Sequence, residues 1–177
     1  MTQGDRYTIA VDAMGGDDAP ATPVYGAVLA AREGNVRVVL VGDGDAVRRE
    51  LARQDTGGLA NDVVASKGAV TEDEHPALAL RRRPNVSIGV AVGLVRAGKA
   101  DAVVSMGSTG ATMAASVLAL GLFPGLDRPT LGGPFIGLAP DTTIIDLGAN
   151  VDCKPAQLLT FAALGASSPP MASTAMV

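Results

Sequence analysis

Apolar residues along this chain fall into two kinds of pattern. Short unbroken runs rich in β-branched residues cover 7–12, 36–41, 62–66 and 101–105. Such runs predict strands buried on both faces. Between them, alanine-rich stretches with helical spacing predict helices over 20–32, 46–54, 86–97 and 108–120. Gly34-Asn35 and Gly98 supply stop signals. A shorter helix is predicted over 76–83, two further strands over 135–138 and 142–147, and a final helix over 155–164. The βαβα alternation predicts an α/β fold, a three-layer arrangement with a mostly parallel sheet and helices on both faces.

One stretch, 102–126, carries no charge and is long enough on paper for a bilayer span of ~20 residues. Gly107-Ser-Thr-Gly110 interrupts it, and Gly121 and Pro124-Gly125 end it. The part before the interruption is β-rich and the part after it alanine-rich, so strand, glycine turn and buried helix is the better account. The N-terminus lacks the basic-then-apolar order of a signal peptide, which gives a cytoplasmic expectation.

Composition narrows the classes. With 47% apolar residues the chain is expected to fold, and its 177 residues suggest about one domain. Fourteen basic against eighteen acidic residues give a net charge of −4, which offers no basic face for nucleic acid. One cysteine, Cys153, excludes an intrachain disulfide, and one Cys with one His cannot build a structural zinc site. From Ser167-Ser-Pro-Pro170 onward the helical and strand periods are lost. The segment from Ser167 is therefore read as a tail outside the α/β pattern.

The strongest local signal is Val103-Val-Ser-Met-Gly-Ser-Thr-Gly-Ala111. A strand ends, glycines turn the chain, and a helix begins. The first N–H groups of a helix lack intrahelical partners, and with the helix dipole they favour an anion, commonly phosphate. The same residues also permit plain capping by Ser108 or Thr109. Asp12, the loop Gly15-Gly16-Asp17, Ser105–Thr109 and Asp146–Asn150 all follow predicted strands, where open α/β sheets place their ligands. Gly42-Asp-Gly44 resembles a dinucleotide loop, but Val47 stands where a third glycine is needed and Asp43 and Asp45 repel a pyrophosphate, so no nicotinamide cofactor is expected. Lys154 could meet an anion as a point charge. Cys153 reads as a buried small hydrophobe, His75 as a solvated loop residue, and Arg81-Arg-Arg83 as a solvated helix end that could touch an acidic carrier or a phosphate. A single histidine and no G-x-S-x-G argue against a Ser-His hydrolase.

Taken in order, these motifs resemble the PlsX-type phosphate acyltransferases of bacterial phospholipid synthesis. The resemblance rests on Ile9-Ala-Val-Asp-Ala-Met-Gly-Gly-Asp17, Glu74-His-Pro76 with Arg81–Arg83, and Leu94-Val-Arg-Ala-Gly-Lys-Ala-Asp-Ala-Val-Val-Ser105. It continues through Gly107-Ser-Thr-Gly-Ala111, Arg128-Pro129, Asp146-Leu-Gly-Ala-Asn-Val-Asp-Cys-Lys-Pro155 and Leu158–Gly165. Two departures stand out: Met106-Gly107-Ser108 where the family has Ala-Gly-Asn, and Pro84-Asn-Val-Ser-Ile88 in place of a basic, serine-rich stretch. Members of the family are much longer, so the resemblance implies a chain truncated or frameshifted after about Gly165, with residues 1–165 as its α/β portion and 166–177 as a tail outside the family pattern.

The resemblance further implies a fold like isopropylmalate dehydrogenase and phosphotransacetylase, no cofactor and no metal, and a homodimer. It implies an acyltransferase that forms acyl phosphate from a long-chain acyl-carrier protein thioester and inorganic phosphate. The product would feed a membrane acyltransferase, which allows a peripheral membrane location. Gly107, Ser108, Thr109 and Gly110, with Gly15, Gly16 and Asp17, are the expected phosphate or substrate contacts. Asp12, Asp146, Asn150 and Lys154 are the catalytic candidates. The alternatives are an inactive fragment that binds a carrier or does nothing, and a phosphotransacetylase-like enzyme for small acyl groups.

Overall fold

A computed structural model describes residues 6–34, 36–56, 62–133 and 142–167. The chain forms two compact units, Met1–Gly121 and Leu122–Val177. The first begins with β1 (Tyr7–Asp12), α1 (Ala21–Glu33), β2 (Val36–Gly42), α2 (Gly44–Ala52) and β3 (Asp62–Ala65). It continues with α3 (Pro76–Arg82), α4 (Ser87–Arg96), β4 (Ala102–Ser105) and α5 (Thr109–Leu120). The four strands make one parallel sheet in the order β3-β2-β1-β4.

Alternation along the strands decides which helix covers which face. Ile9, Val11 and Ala13 of β1 and its exit, with Val38 and Leu40 of β2, pack with Val24 and Ala27 of α1 and Val47 of α2. Ala10 and Val41 face the other way and pack with Ala91 of α4. A third cluster joins Ala79 and Leu80 of α3, Ile88 and Val92 of α4, and Ala111 and Ala115 of α5. Helices therefore cover both faces of the central strands β1 and β2, as their continuous hydrophobic runs require. The edge strands β3 and β4 contain no fully buried residue and Val104 is 46% exposed, so the expected burial on both faces does not extend to them.

The register places the candidate residues. Ala10 aligns with Val103, and two residues further Asp12 aligns with Ser105. In a strand, residues two apart share a face. Asp12 and Ser105 thus lie on the α4 face, one step beyond the apolar pair and at the carboxyl ends of adjacent strands.

The second unit holds β5 (Gly132–Gly133), β6 (Ile144–Ile145) and α6 (Pro155–Ser167). The strand predicted over 142–147 shortens to β6 and pairs antiparallel with β5, a strand that hydropathy does not announce because it consists of two glycines. Glycine is required there: a Cβ on Gly132 would lie 2.6 Å from the Ile144 carbonyl oxygen and from Ile145 Cδ1. The strand predicted over 135–138 lies outside the described residues. α6 runs to Ser167, two residues past the predicted end of the α/β portion at 165. No helix among the described residues is long and apolar enough to cross a membrane.

Candidate functional site: a cleft at the strand ends

Within the first unit a cleft of about 210 Å³ opens at the carboxyl ends of β1 and β4. Its walls are the loop after β1 (Met14, Gly15, Gly16, Asp17), the turn after β4 (Met106, Gly107, Ser108), and a loop after β3 that contributes Thr71 and Glu72. Asp12 and Ser105 form part of its floor, with Ala111 and Thr112 of α5 and Ile88 of α4 beside them.

Asp12, only 3% exposed, ties the two strand-end loops together. Its Oδ1 accepts the Met14 N–H at 3.1 Å, and its Oδ2 accepts the Ser105 hydroxyl at 2.8 Å. Ser105 Oγ in turn accepts the Gly107 N–H at 3.1 Å. Gly15 sits against this junction. A Cβ added to it would come within 2.8 Å of Asp12 Oδ2, Gly107 N and Ser105 Oγ at once. Gly16, with φ +99°, takes a backbone conformation that favours glycine.

Ser108 is the N-cap of α5, and its Oγ accepts the Ala111 N–H at 3.4 Å. The N–H groups of Ser108, Thr109 and Gly110 make no hydrogen bond among the described residues. Capping and anion readiness therefore coexist: the serine serves the fourth amide of the turn and leaves the earlier ones open. Of the glycine-turn residues expected to hold phosphate, Gly107 and Ser108 line the cleft, as do Gly15, Gly16 and Asp17 of the first loop. Thr109 and Gly110 are exposed on the first turn of α5, outside the lining. The Gly107 N–H is already committed to Ser105, which narrows the available donors to the next three.

Among the described residues no Lys, Arg or His lines this cleft, while Asp12, Asp17 and Glu72 do. An anion there would find its favourable partners in the α5 amides and dipole. Thr71 and Glu72 are absent from the sequence-based expectation, although they follow β3 and the strand-end rule that singled out Asp12 and Ser105 applies to them equally. Their loop is fixed by Glu74, which accepts both the N–H and the hydroxyl of Thr71 at 3.1 Å and pairs with Arg83 at 2.5 Å. The Thr71 amide and then the Arg83 guanidinium hold the Glu74 carboxyl below its usual range. Arg83 also donates to the Ala69 carbonyl. Arg83 is thus used locally, whereas Arg81, Arg82 and His75 are exposed.

The remaining candidates lie in the second unit. Asp146, at φ 66°, follows β6 and accepts the Asn150 N–H at 3.2 Å and its side-chain amide at 3.3 Å. Asn150 Nδ2 also donates to the Pro129 carbonyl at 3.0 Å. Cys153 is half-buried and polar in its contacts, unlike the buried hydrophobe the sequence suggests. Its thiol donates to Asp146 Oδ2 at 3.5 Å. Burial first, and the Asp146 carboxylate second, push the thiol pKa up, so it stays protonated. Lys154 is exposed, its amine makes no ion pair among the described residues, and its backbone N–H is held by Gln157 Oε1 at 2.9 Å. At the Gly42-Asp-Gly44 turn, Asp43 accepts the Asp45 and Ala46 N–H groups, so the turn is a cap for α2.

Comparison with known proteins extends this picture beyond the cleft. A phosphate acyltransferase of Pelotomaculum thermopropionicum is 49% identical over 157 residues, covering 89% of this chain and 46% of its own length. Those of Geobacter sulfurreducens and Synechocystis sp. are 46% and 47% identical, over 89% and 90% of this chain and 45% and 46% of their own lengths. The chain spans about half the length of the curated relatives it matches. The family model described as fatty acid synthesis protein matches residues 7–168, from the first residue of β1 to just past the end of α6, and the chain belongs to that PlsX-type family.

Proposed function

We propose that this chain carries the anion- and carbonyl-facing wall of an acyltransferase of lipid synthesis. The reaction is the attack of inorganic phosphate on the thioester of a long-chain acyl-carrier protein. A phosphate oxygen forms a C–O bond to the carbonyl carbon, and the C–S bond breaks with its electron pair on sulfur. The carrier thiolate takes a proton, and acyl phosphate remains. The observation that carries this reading is the set of open amides at Ser108, Thr109 and Gly110, beside a cleft at the carboxyl ends of β1 and β4. Amides so placed serve a phosphate oxygen or the oxyanion that develops on the attacked carbonyl.

Membership in the fatty acid synthesis family and the names of the relatives support the reaction class. Asp12 is given a positioning role, because both its oxygens are occupied by the loops it joins. Within the second unit Asn150 and Lys154 remain the candidates the family resemblance names, and Asp146 is given the task of holding the Asn150 loop. The whole enzyme is read as a homodimer without metal or cofactor, serving a membrane acyltransferase from the cytoplasm or the membrane periphery.

The test is to mix the protein with a long-chain acyl-carrier thioester and phosphate, following free thiol and hydroxylamine-trapped acyl product. Thiol release that saturates with phosphate supports the reading. Preference for short-chain thioesters moves the assignment to a phosphotransacetylase-like enzyme. Release that ignores phosphate, or none at all, contradicts it for this chain.

A further inference from the structure

We propose that Ser105 is a positioning residue of the cleft, the bridge that holds the turn before α5 in its anion-ready geometry. The inference deepens the function proposed above and rests on it.

A serine hydroxyl has one proton to give and lone pairs to accept with. Among the described residues Asp12 is the only buried acid, and as a carboxylate it can only accept. The Ser105 proton is therefore committed to Asp12 Oδ2 at 2.8 Å, and its lone pairs face the Gly107 N–H at 3.1 Å. That second bond fixes the Gly107 amide. The next three peptides, whose N–H groups are open, follow directly from it. Gly15 fills the space behind, leaving the junction no room to shift toward the β1 loop.

Removing the hydroxyl has two consequences together. Asp12 Oδ2 loses its donor while remaining buried, and the Gly107 N–H loses its acceptor. The simplest repair is for the Gly107 N–H to turn toward Oδ2, which rotates the peptide leading into α5 and misdirects the amides behind it. Threonine keeps both functions of the hydroxyl and suits a strand. Alanine keeps neither. Cysteine keeps the packing but donates and accepts weakly.

The experiment titrates inorganic phosphate into the ¹⁵N-labelled 177-residue chain and reads the amides of residues 107–111, for wild type, Ser105→Ala, Ser105→Thr and Ser105→Cys. The expectation is a phosphate affinity weakened about five- to tenfold by alanine, equivalent to about one net hydrogen bond. Threonine should restore it to within about twofold of wild type, and cysteine should fall between. A merely structural role would lower the melting midpoint of the alanine variant yet leave the affinity of its folded fraction unchanged, and that result overturns the inference. If the alanine variant does not fold, wild-type affinity in the cysteine variant overturns it equally. A wild-type chain whose 108–110 amides ignore phosphate overturns the reading of the cleft itself, an outcome distinct from an unaffected Ser105 variant.

Discussion

Replacing Gly15 by alanine tests whether the two strand-end loops are packed as tightly as described. The new methyl carbon would lie 2.8 Å from three polar atoms: Asp12 Oδ2, Gly107 N and Ser105 Oγ. None is the end of a long flexible side chain. One is backbone, and the other two are hydrogen-bonded to each other at 2.8 Å. Relief requires that the loops part. Overpacking of this kind costs about 1–3 kcal/mol, and loss of the Asp12–Ser105 bond about 1 kcal/mol more. Alanine returns about 0.4–1 kcal/mol by restricting the unfolded chain. The net expectation is a loss of about 1–3.5 kcal/mol, read from urea unfolding monitored by circular dichroism. Gly26 is the control. It lies exposed in the middle of α1, and a Cβ there meets nothing within 4 Å. Gly26→Ala should stabilise by about 0.5–1 kcal/mol through helix propensity. Opposite signs in one protein separate close packing from general effects of the substitution. A Gly15→Ala variant within about 0.5 kcal/mol of wild type would refute the reasoning.

Three further outcomes follow from the charges. Glu72 lines the cleft without an ion pair among the described residues, so Glu72→Gln should strengthen phosphate binding about twofold at low salt; an unchanged affinity in calorimetry counts against phosphate in this cleft. Asp146 helps keep the Cys153 thiol protonated, so Asp146→Asn should speed its alkylation by iodoacetamide at mildly basic pH, and an unaltered rate refutes that link. Glu74 has its pKa lowered in the folded chain. Its contribution to the 69–74 loop is therefore complete above the ordinary glutamate range and is lost as pH falls through the lowered value. The Thr71 amide shift should report that transition below 4.5, and a midpoint at or above 4.5 contradicts it.

Much of the first unit is legible in the sequence because its strands are written as apolar runs, which burial on both faces requires of β1 and β2. Continuous β-branched runs then mark β1, β2 and β4 within a residue or so of their ends. The strand-end rule likewise locates Asp12, Ser105 and the glycine turn. Thr71 and Glu72 escape notice because their segment is polar and aperiodic, and only the sheet order brings it to the same end of the sheet. β5 escapes because two glycines carry no hydropathic signal. The commitment of the Gly107 N–H to Ser105 is equally hidden, since it depends on the Asp12–Ser105 register between strands 93 residues apart in the chain. The sequence does mark Asp146-Leu-Gly-Ala-Asn150, but the left-handed backbone at Asp146 and its two bonds to Asn150 become visible only in the folded unit.

The most direct test of the central claim is a crystal structure of the chain grown with inorganic phosphate. A tetrahedral anion is expected within hydrogen-bond distance of the Ser108, Thr109 and Gly110 amides, facing the Gly15–Asp17 loop. An anion bound elsewhere, with these amides still open at saturating phosphate, would contradict it.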